Sequence, residues 1–390
     1  MENRVIPFSP PDITQQEIDA VVEVMKSGWI TSGPRTALLE EKIKEYCSVK
    51  NAVTVASNSQ GMDLVFKVLN ISPDNEIITT PYTYVATANT ALHRGIKPTF
   101  VDLKKDTFFM DEEKLFDAIT PKTKAIITVD VAGVPVDYDA VRAVLKAKNR
   151  EDILLVSDSA HSFGAKYKGK RVGNQFDFHI YSFHAVKNLT TAEGGAITFD
   201  GDHGHEDLKK VFKYTSLNGQ SKDALSKMKA GAWKYDVLTD GLKCNMTDIA
   251  AAIGLVQLER YEDMIRRRKD IAQLYHKMLA DKEWAILPVF VDEKMESSYH
   301  LYLLRIKGFT EKKRDKLIEN LAEMGIATNV HYTPIPMFTY YKQIGYSIED
   351  YPNTLAQYEN EITLPLYSIL SLSDAEYVAE NVIKWVEKLK

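Results

Sequence analysis

Residues 181–197 read YSFHAVKNLTTAEGGAI, and one amine, Lys187, stands in them just past an apolar run. An amine at the end of a buried strand must meet an anion, shed its proton or become covalently occupied, because isolated buried charge is too costly to leave alone. Three other stretches offer matching chemistry. SNSQG, residues 57–61, puts small polar side chains ahead of a helix, where free amides and the positive end of the helix dipole hold an anion. PYTYVAT supplies the aromatic plates Tyr82 and Tyr84, and SDSAHSFG brings Asp158 to the end of an apolar run, where a carboxylate needs a cationic or strongly donating partner. Each alone has a plainer reading: a helix cap, a core tyrosine, a backbone-capping aspartate, a lysine snorkelling to the surface. Together they are the four features of a pyridoxal-phosphate site. The cradle takes the phosphate, the aromatic covers the ring, the carboxylate pairs with the pyridinium nitrogen and the amine makes the covalent link.

These side chains can meet only if the segments before them end at one edge. Short apolar runs (AVTVA, EIITT, PTFVDL, KAIITVDVAG, ILLVSDSA, HIYSF, GAITFD) are mostly separated by helix-like stretches such as GMDLVFKVL and DYDAVRAVLKAKN. Strands apolar on both faces and joined by helices predict an α/β fold with a mostly parallel central sheet covered on both sides. Ligands in such sheets bind beyond the carboxyl ends of the strands, where all four stretches lie. Ahead of the sheet, TQQEIDAVVEVMKSG predicts a helix capped by Thr14 and Glu17, stopped at Gly28, with Ile18, Val21, Val22 and Met25 as its buried side.

From Thr247 a single long helical pattern runs to Leu279 and leads out of the large domain. Beyond it, YHLYLLRIKG predicts a strand with Tyr302, Leu304 and Ile306 on one face, then a helix around Leu317, Leu321 and Met324, and a strand at ATNVHY. A closing helix is expected to start with a box of Ser373 and Glu376 and to bury Val378, Val382 and Val386. The expected division is a large α/β domain over residues 1–250 and a small α+β domain over 251–390.

Composition narrows the partners. Lys plus Arg number 49 against 54 Asp plus Glu, so the net charge of -5 offers no broad basic field for nucleic acid or an anionic membrane. Cys47 and Cys244 have neither metal-ligand spacing nor disulfide density, MENRVIPFSPPD has no signal-like charged-then-apolar pattern, and no apolar run reaches membrane-spanning length. A cytoplasmic location is expected. DGDHGHED gathers Asp202, His203, His205 and Glu206 at a spacing that fits a solvated turn better than a metal site, so no metal is expected. His179 and His184 would point to opposite faces of HIYSF, and the RRRK run at 266–269 reads as a solvated helix face. The absence of GxGxxG after the first strand and of GxxxxGK[ST] argues against a dinucleotide fold or P-loop.

In order, SGWITSGPRT, ASNSQGMDL, TTPYTYVATAN, SDSAHSFGA, YSFHAVKNLTTAEGGAI, GLKCNMTDIAAAIGLVQLER, NVHYTPIP and TLPLY make the chain resemble the DegT/StrS nucleotide-sugar aminotransferases of the fold-type I pyridoxal-phosphate class. The resemblance implies that Lys187 forms the covalent link and Asp158 meets the ring nitrogen, with His161 near the ring hydroxyl and Tyr84 stacked on the ring. It implies that Ser59, Gln60 and Ser182 hold the phosphate, and that Asn245 reaches it from the partner subunit of a homodimer with shared sites. Thr31, His184 and His331 fall on the sugar-nucleotide side; Glu193 receives no role. Three positions depart from the family pattern: Gln60, where a small residue is common, Cys244, where an aromatic is frequent, and Ser159 in the Asp-Ala-Ala-His segment. None removes a catalytic group.

The NLTTAEGG form resembles members that aminate the 4-keto carbon of a nucleotide-linked 6-deoxyhexose or pentose for surface polysaccharide, lipopolysaccharide or glycan synthesis. It implies a ping-pong reaction with an amino-acid donor, L-glutamate, and pyridoxamine phosphate between the half-reactions. The alternatives are amination at the 3-keto carbon, and a non-catalytic regulator binding the cofactor or a sugar nucleotide. Related cofactor-dependent dehydratases carry histidine at the lysine position, which is intact here.

Overall fold

The computed structural model describes residues 4–222, 231 and 233–390. Its centre is a seven-stranded sheet of β1 (Asn51–Val55), β2 (Glu76–Thr79), β3 (Thr99–Phe100), β4 (Thr123–Val129), β5 (Leu154–Asp158), β8 (Phe178–Ser182) and β9 (Gly195–Phe199), with β6 (Lys166–Tyr167) and β7 (Lys170–Arg171) outside it. The order is β1-β9-β8-β5-β4-β2-β3, and only β9 runs against the rest. Alternate residues of these strands enter separate cores. Val53, Val55, Ile77, Ile127, Val156, Ile180 and Ile197 pack under one face, and Ile78, Ile126 and Leu155 under the other. The runs are therefore apolar throughout because neither face meets water.

Helices α1 (Gln15–Ser27), α2 (Pro34–Cys47), α3 (Asn58–Val68), α4 (Val85–His93), α5 (Glu112–Ala118), α6 (Tyr138–Ala147) and α7 (Leu208–Thr215) surround the sheet. The Thr14–Glu17 box and the left-handed Gly28 bound α1 as expected. Its predicted buried side is not buried: Ile18, Val22 and Met25 are 48, 41 and 55% exposed, while Glu17 and Val24 turn inward. Glu17 takes that place because Arg260 Nε donates to it at 2.9 Å and Gln257 Nε2 at 2.7 Å.

The same arginine divides the long helical pattern. It forms α8 (Asp248–Glu259) and α9 (Tyr261–Leu279), separated at Arg260, which also donates to the Asp12 carboxylate at 2.7 Å. The apolar α8 packs on α1 and α2, and α9 packs on the last helix of the chain. The RRRK run is not a uniformly solvated face, for Arg268 is 3% exposed and donates to the carbonyls of Leu366 and His300.

Strands β10 (Ala285–Ile286), β12 (Tyr302–Ile306) and β13 (Glu361–Leu364) form an antiparallel sheet, and β11 (Met295–Glu296) joins β6 and β7. Helices α10 (Glu311–Glu323), α11 (Thr339–Gln343), α12 (Pro352–Glu359) and α13 (Leu372–Leu389) accompany it. Tyr302, Leu304 and Ile306 are buried as their alternation predicts. ATNVHY is no strand; only Asn329 bridges Thr363, and the segment then turns towards the large sheet. Ser371, not Ser373, caps α13, its Oγ accepting from Asp374 N at 3.0 Å, while Val378, Val382 and Val386 are buried. No helix among the described residues is long and apolar enough to cross a membrane.

Candidate active site

A cavity of about 550 Å³ opens at the carboxyl ends of β1, β5 and β8 and is closed from the far side by residues 329–332 and 300–301. That is room for a small organic ligand. Eight sequence-selected residues line it: Ser59, Tyr84, Asp158, His161, Ser182, His184, Lys187 and His331. Gln60, Thr31 and Asn245 do not. The Gln60 amide donates to Ser57 Oγ as part of the α3 cap. The Thr31 carbonyl accepts from Asp248 N. Asn245 lies in a separate hollow with Ser32, Lys209 and Lys213. Among the described residues no group of three His, Cys, Asp or Glu is placed to hold a metal.

Asp158 is 5% exposed, and its oxygens accept from Thr87 Oγ1 (2.6 Å), Asn58 Nδ2 (3.1 Å) and Ala160 N (3.2 Å). Burial nevertheless raises its pKa; these donors and the charge of Lys187 oppose the shift. Sequence reading missed Asn58 and Thr87 as supports. Both stand inside stretches it singled out, SNSQG and YVATAN, at the first turns of α3 and α4.

The Lys187 amine has no hydrogen bond or ion pair among the described residues. Burial pushes it down to about 8, with the Asp158 charge opposing. Covalent capture of an added aldehyde by the purified protein should therefore rise about tenfold from pH 7 to pH 9 and then level, tracking the neutral amine. A capture rate still climbing tenfold per unit at pH 10 would show an ordinary lysine.

The loop carrying Lys187 is closed on itself. Thr191 N and Thr190 Oγ1 bond the Phe183 carbonyl at 2.9 and 3.1 Å, and Thr190 Oγ1 accepts from Ala192 N at 2.9 Å. The Gly-Gly pair has a steric cause. Gly195 lies opposite Ser182 and against the start of α3, where a Cβ would stand 2.5 Å from the Tyr181 carbonyl oxygen and 2.9 Å from Asn58 N. At the rim, His184 Nε2 lies 3.6 Å from a Glu193 carboxylate oxygen. Tyr84 projects its ring at 61% exposure, 6.4 Å from that of Tyr332.

Three histidines share the inner wall. His161 Nδ1 accepts from Ala132 N at 3.2 Å, which leaves the hydrogen on Nε2 to be donated to Tyr332 OH at 2.8 Å. His300, 4.3 Å from the His161 ring, bonds Asn188 Oδ1 at 2.8 Å, beside Lys187. Burial, with the Lys187 charge adding, holds His161 well below its usual range and His331 down to about 3, so both rings are neutral at pH 7. His300, Asn188 and Tyr332 received no role from the sequence, although Asn188 and Tyr332 stand inside the YSFHAVKNLTTAEGGAI and NVHYTPIP stretches.

The donor set fits pyridoxal phosphate. The α3 N-terminus with Ser57, Asn58 and Ser59, together with Ser182, would take the phosphate, Tyr84 would cover the ring, Asp158 would take the ring nitrogen, and the unpartnered Lys187 amine would make the covalent bond.

Comparison with known proteins agrees along almost the whole length. The DegT/DnrJ/EryC1/StrS aminotransferase family matches residues 11–383. A putative sugar aminotransferase, Spr1654 of Streptococcus pneumoniae, solved in its PMP form, superposes with a TM-score of 0.95 at 43% identity, covering 99% of this chain and 100% of that one. Helicobacter pylori PseC, an aminotransferase in pseudoaminic acid biosynthesis, superposes with a TM-score of 0.88 at 30% identity over 99% and 100%. The spore coat polysaccharide biosynthesis protein SpsC of Bacillus subtilis is 38% identical over 97% of each chain.

Proposed function

Because the chain belongs to the DegT/DnrJ/EryC1/StrS aminotransferase family, we propose that it uses pyridoxal phosphate to move an amino group from L-glutamate to the 4-keto carbon of a nucleotide-linked ketosugar, a 4-keto-6-deoxyhexose or 4-ketopentose. The observation that carries this reading is the single cavity holding an unpartnered Lys187 amine, the buried Asp158 carboxylate and the α3 N-terminus together. The Streptococcus pneumoniae protein solved in both PLP and PMP forms supports the cofactor, and the polysaccharide-synthesis relative supports a sugar acceptor.

Bound pyridoxal phosphate supplies an electron sink for the carbon whose proton is removed. The chain supplies the rest. The Asp158 carboxyl group, oriented by Thr87 and Asn58, would hold the ring nitrogen. Lys187 Nζ, with its proton affinity lowered by burial, takes a proton from one carbon and returns it to another. Neutral His161, held through Tyr332 and Ala132, presents a fixed dipole without adding a cation to the wall. Residues 329–332 wall the cavity opposite the strand ends, and Tyr84 stands at its rim.

A homodimer with shared sites is part of this reading. The exposed Ile18, Val22 and Met25 of α1 and Leu38 of α2 are apolar side chains that a second copy would cover, and Asn245, which lines a separate hollow rather than this chain's cavity, would reach the cavity of a partner. Light scattering that gives a monomer at micromolar concentration would refute this part.

The deciding experiment offers UDP-, dTDP- and GDP-linked 4-ketosugars with L-glutamate and reads the product by mass, expecting a keto group replaced by an amine at carbon 4. Turnover of 3-ketosugars only would overturn the regiochemistry, and turnover of free keto acids only would overturn the sugar assignment.

A further inference from the structure

Glu361 on β13 is fully buried, outside the cavity, and unused by the reaction described above, yet it is tied to a cavity wall. One of its oxygens accepts from the backbone N of His331 at 3.0 Å. The other lies 2.6 Å from Thr363 Oγ1, which in turn lies 2.9 Å from His331 Nδ1. His331 stacks on Phe8 at 5.5 Å and lines the cavity; its Nε2 has no partner among the described residues. We propose that Glu361 is a positioning residue that sets, through the hydroxyl of Thr363, which ring nitrogen of His331 carries the hydrogen, and so whether the imidazole donates to or accepts from a ligand in the cavity.

The same heavy-atom geometry accommodates two hydrogen arrangements. With Glu361 protonated, its O–H donates to Thr363 Oγ1, the Thr363 hydroxyl donates to Nδ1, and the ring hydrogen sits on Nε2 as a donor. With Glu361 ionised, the Thr363 hydroxyl points back to the carboxylate, Nδ1–H donates to Oγ1, and Nε2 becomes an acceptor. Between them one proton is released. The carboxyl hydrogen passes to Oγ1, the hydroxyl hydrogen passes to Nδ1, and Nε2 loses its own to water in the cavity. The imidazole stays neutral throughout, as its burial requires.

The surroundings of Glu361 favour titration in the physiological range. Burial pushes its carboxyl up to about 8; the bonds from Thr363 and from His331 N and the charge of Arg314 oppose the shift. Arg314, on α10, donates to the carbonyls of Tyr358 and Glu361. Arg305, opposite Glu361 in register on β12, is occupied by Gln357 and Asp106. Tyr82, whose own ionisation the Glu361 charge opposes, stays neutral, as does Tyr332. Lys187 is the cation facing His331.

The tautomer switch is a property of the cofactor-free chain; its part in turnover rests on the aminotransferase reading. The test is selective ¹⁵N-histidine NMR of cofactor-free protein from pH 6 to pH 10, with the His331 signals assigned from His331→Gln. In the natural protein the hydrogen should move from Nε2 to Nδ1 with a midpoint near about 8. Glu361→Gln should hold it on Nε2 throughout, because an amide whose oxygen still meets His331 N must donate its NH₂ to Thr363. Thr363→Val should abolish the midpoint and Thr363→Ser should keep it, which tests the wire even if Glu361→Gln fails to fold. A tautomer that does not change in the natural protein, or that still switches in Glu361→Gln or Thr363→Val, overturns the proposal. In turnover, Glu361→Gln should take one of two ionisations at about 8 out of the kcat/KM profile, leaving that of Lys187, while Thr363→Ser retains both. A switch seen by NMR with an unaltered rate profile would overturn its role in the reaction and leave the aminotransferase reading standing.

Discussion

Replacing Lys187 with alanine should lower kcat on the order of 10⁴-fold, since the variant loses both the covalent anchor and the proton carrier. It should not lower stability. The amine is desolvated and has no partner, so its removal relieves a penalty rather than breaking a contact, and the Tm of the cofactor-free protein should hold or rise. Lys187→Arg should be equally inactive, because a guanidinium cannot be deprotonated in this range. Borohydride in the presence of cofactor should fix a label on Lys187 in the natural protein and none in either variant. Activity within tenfold of the natural protein in Lys187→Ala would remove the central assignment.

Asp158→Asn should cost about 10²–10³-fold in kcat, the penalty of leaving a buried cationic partner without its anion. Three further readouts follow from its surroundings. The Asp158 charge is what holds the Lys187 amine up against burial, so its removal should shift the midpoint of aldehyde capture below about 8. A midpoint that moves upward would contradict the electrostatic account. Stability should change in the opposite direction from activity. The folded-state pKa of Asp158 is raised by burial, so the cost of ionising it in the native state is absent well below the unfolded value and grows as pH rises towards the folded one. A neutral amide removes that cost, and the cofactor-free variant should melt higher at pH 8 with the gap closing towards acid pH. Loss of activity with gain of stability is the signature of a group retained for function.

The ingredients that sequence made legible are those whose chemistry is local to a strand end. Lys187, Asp158, Tyr84 and the 57–61 cradle each follow an apolar run, and the parallel-sheet rule brings such ends together without any knowledge of contacts. What stayed hidden depends on partners far along the chain. His300 and Tyr332 matter because the small sheet folds back over the cavity, and periodicity reports a buried face without naming what it meets. The break at Arg260 is invisible in an unbroken helical pattern, since its cause is a pair of carboxylates at Asp12 and Glu17. The exposed side of α1 is a fault of the same kind: the apolar stripe is real, but within one chain α8 packs on a different side, and Glu17 goes inward to meet it.

The placement of β1 bears on how the protein comes to exist at all. This first strand pairs with β9, the last of the sheet in sequence, and the cavity's lining runs from Phe8 to Tyr332. Nearly the whole polypeptide must leave the ribosome before the pocket has walls, and pairing so distant in sequence carries a slow loop-closure step. A ligand that recognises only the completed pocket then acts as a clamp on the entire topology. Saturation at one hundred times its Kd adds about 2.7 kcal/mol to global stability. Cofactor present during synthesis would thereby raise the share of newly made chain that escapes proteolysis.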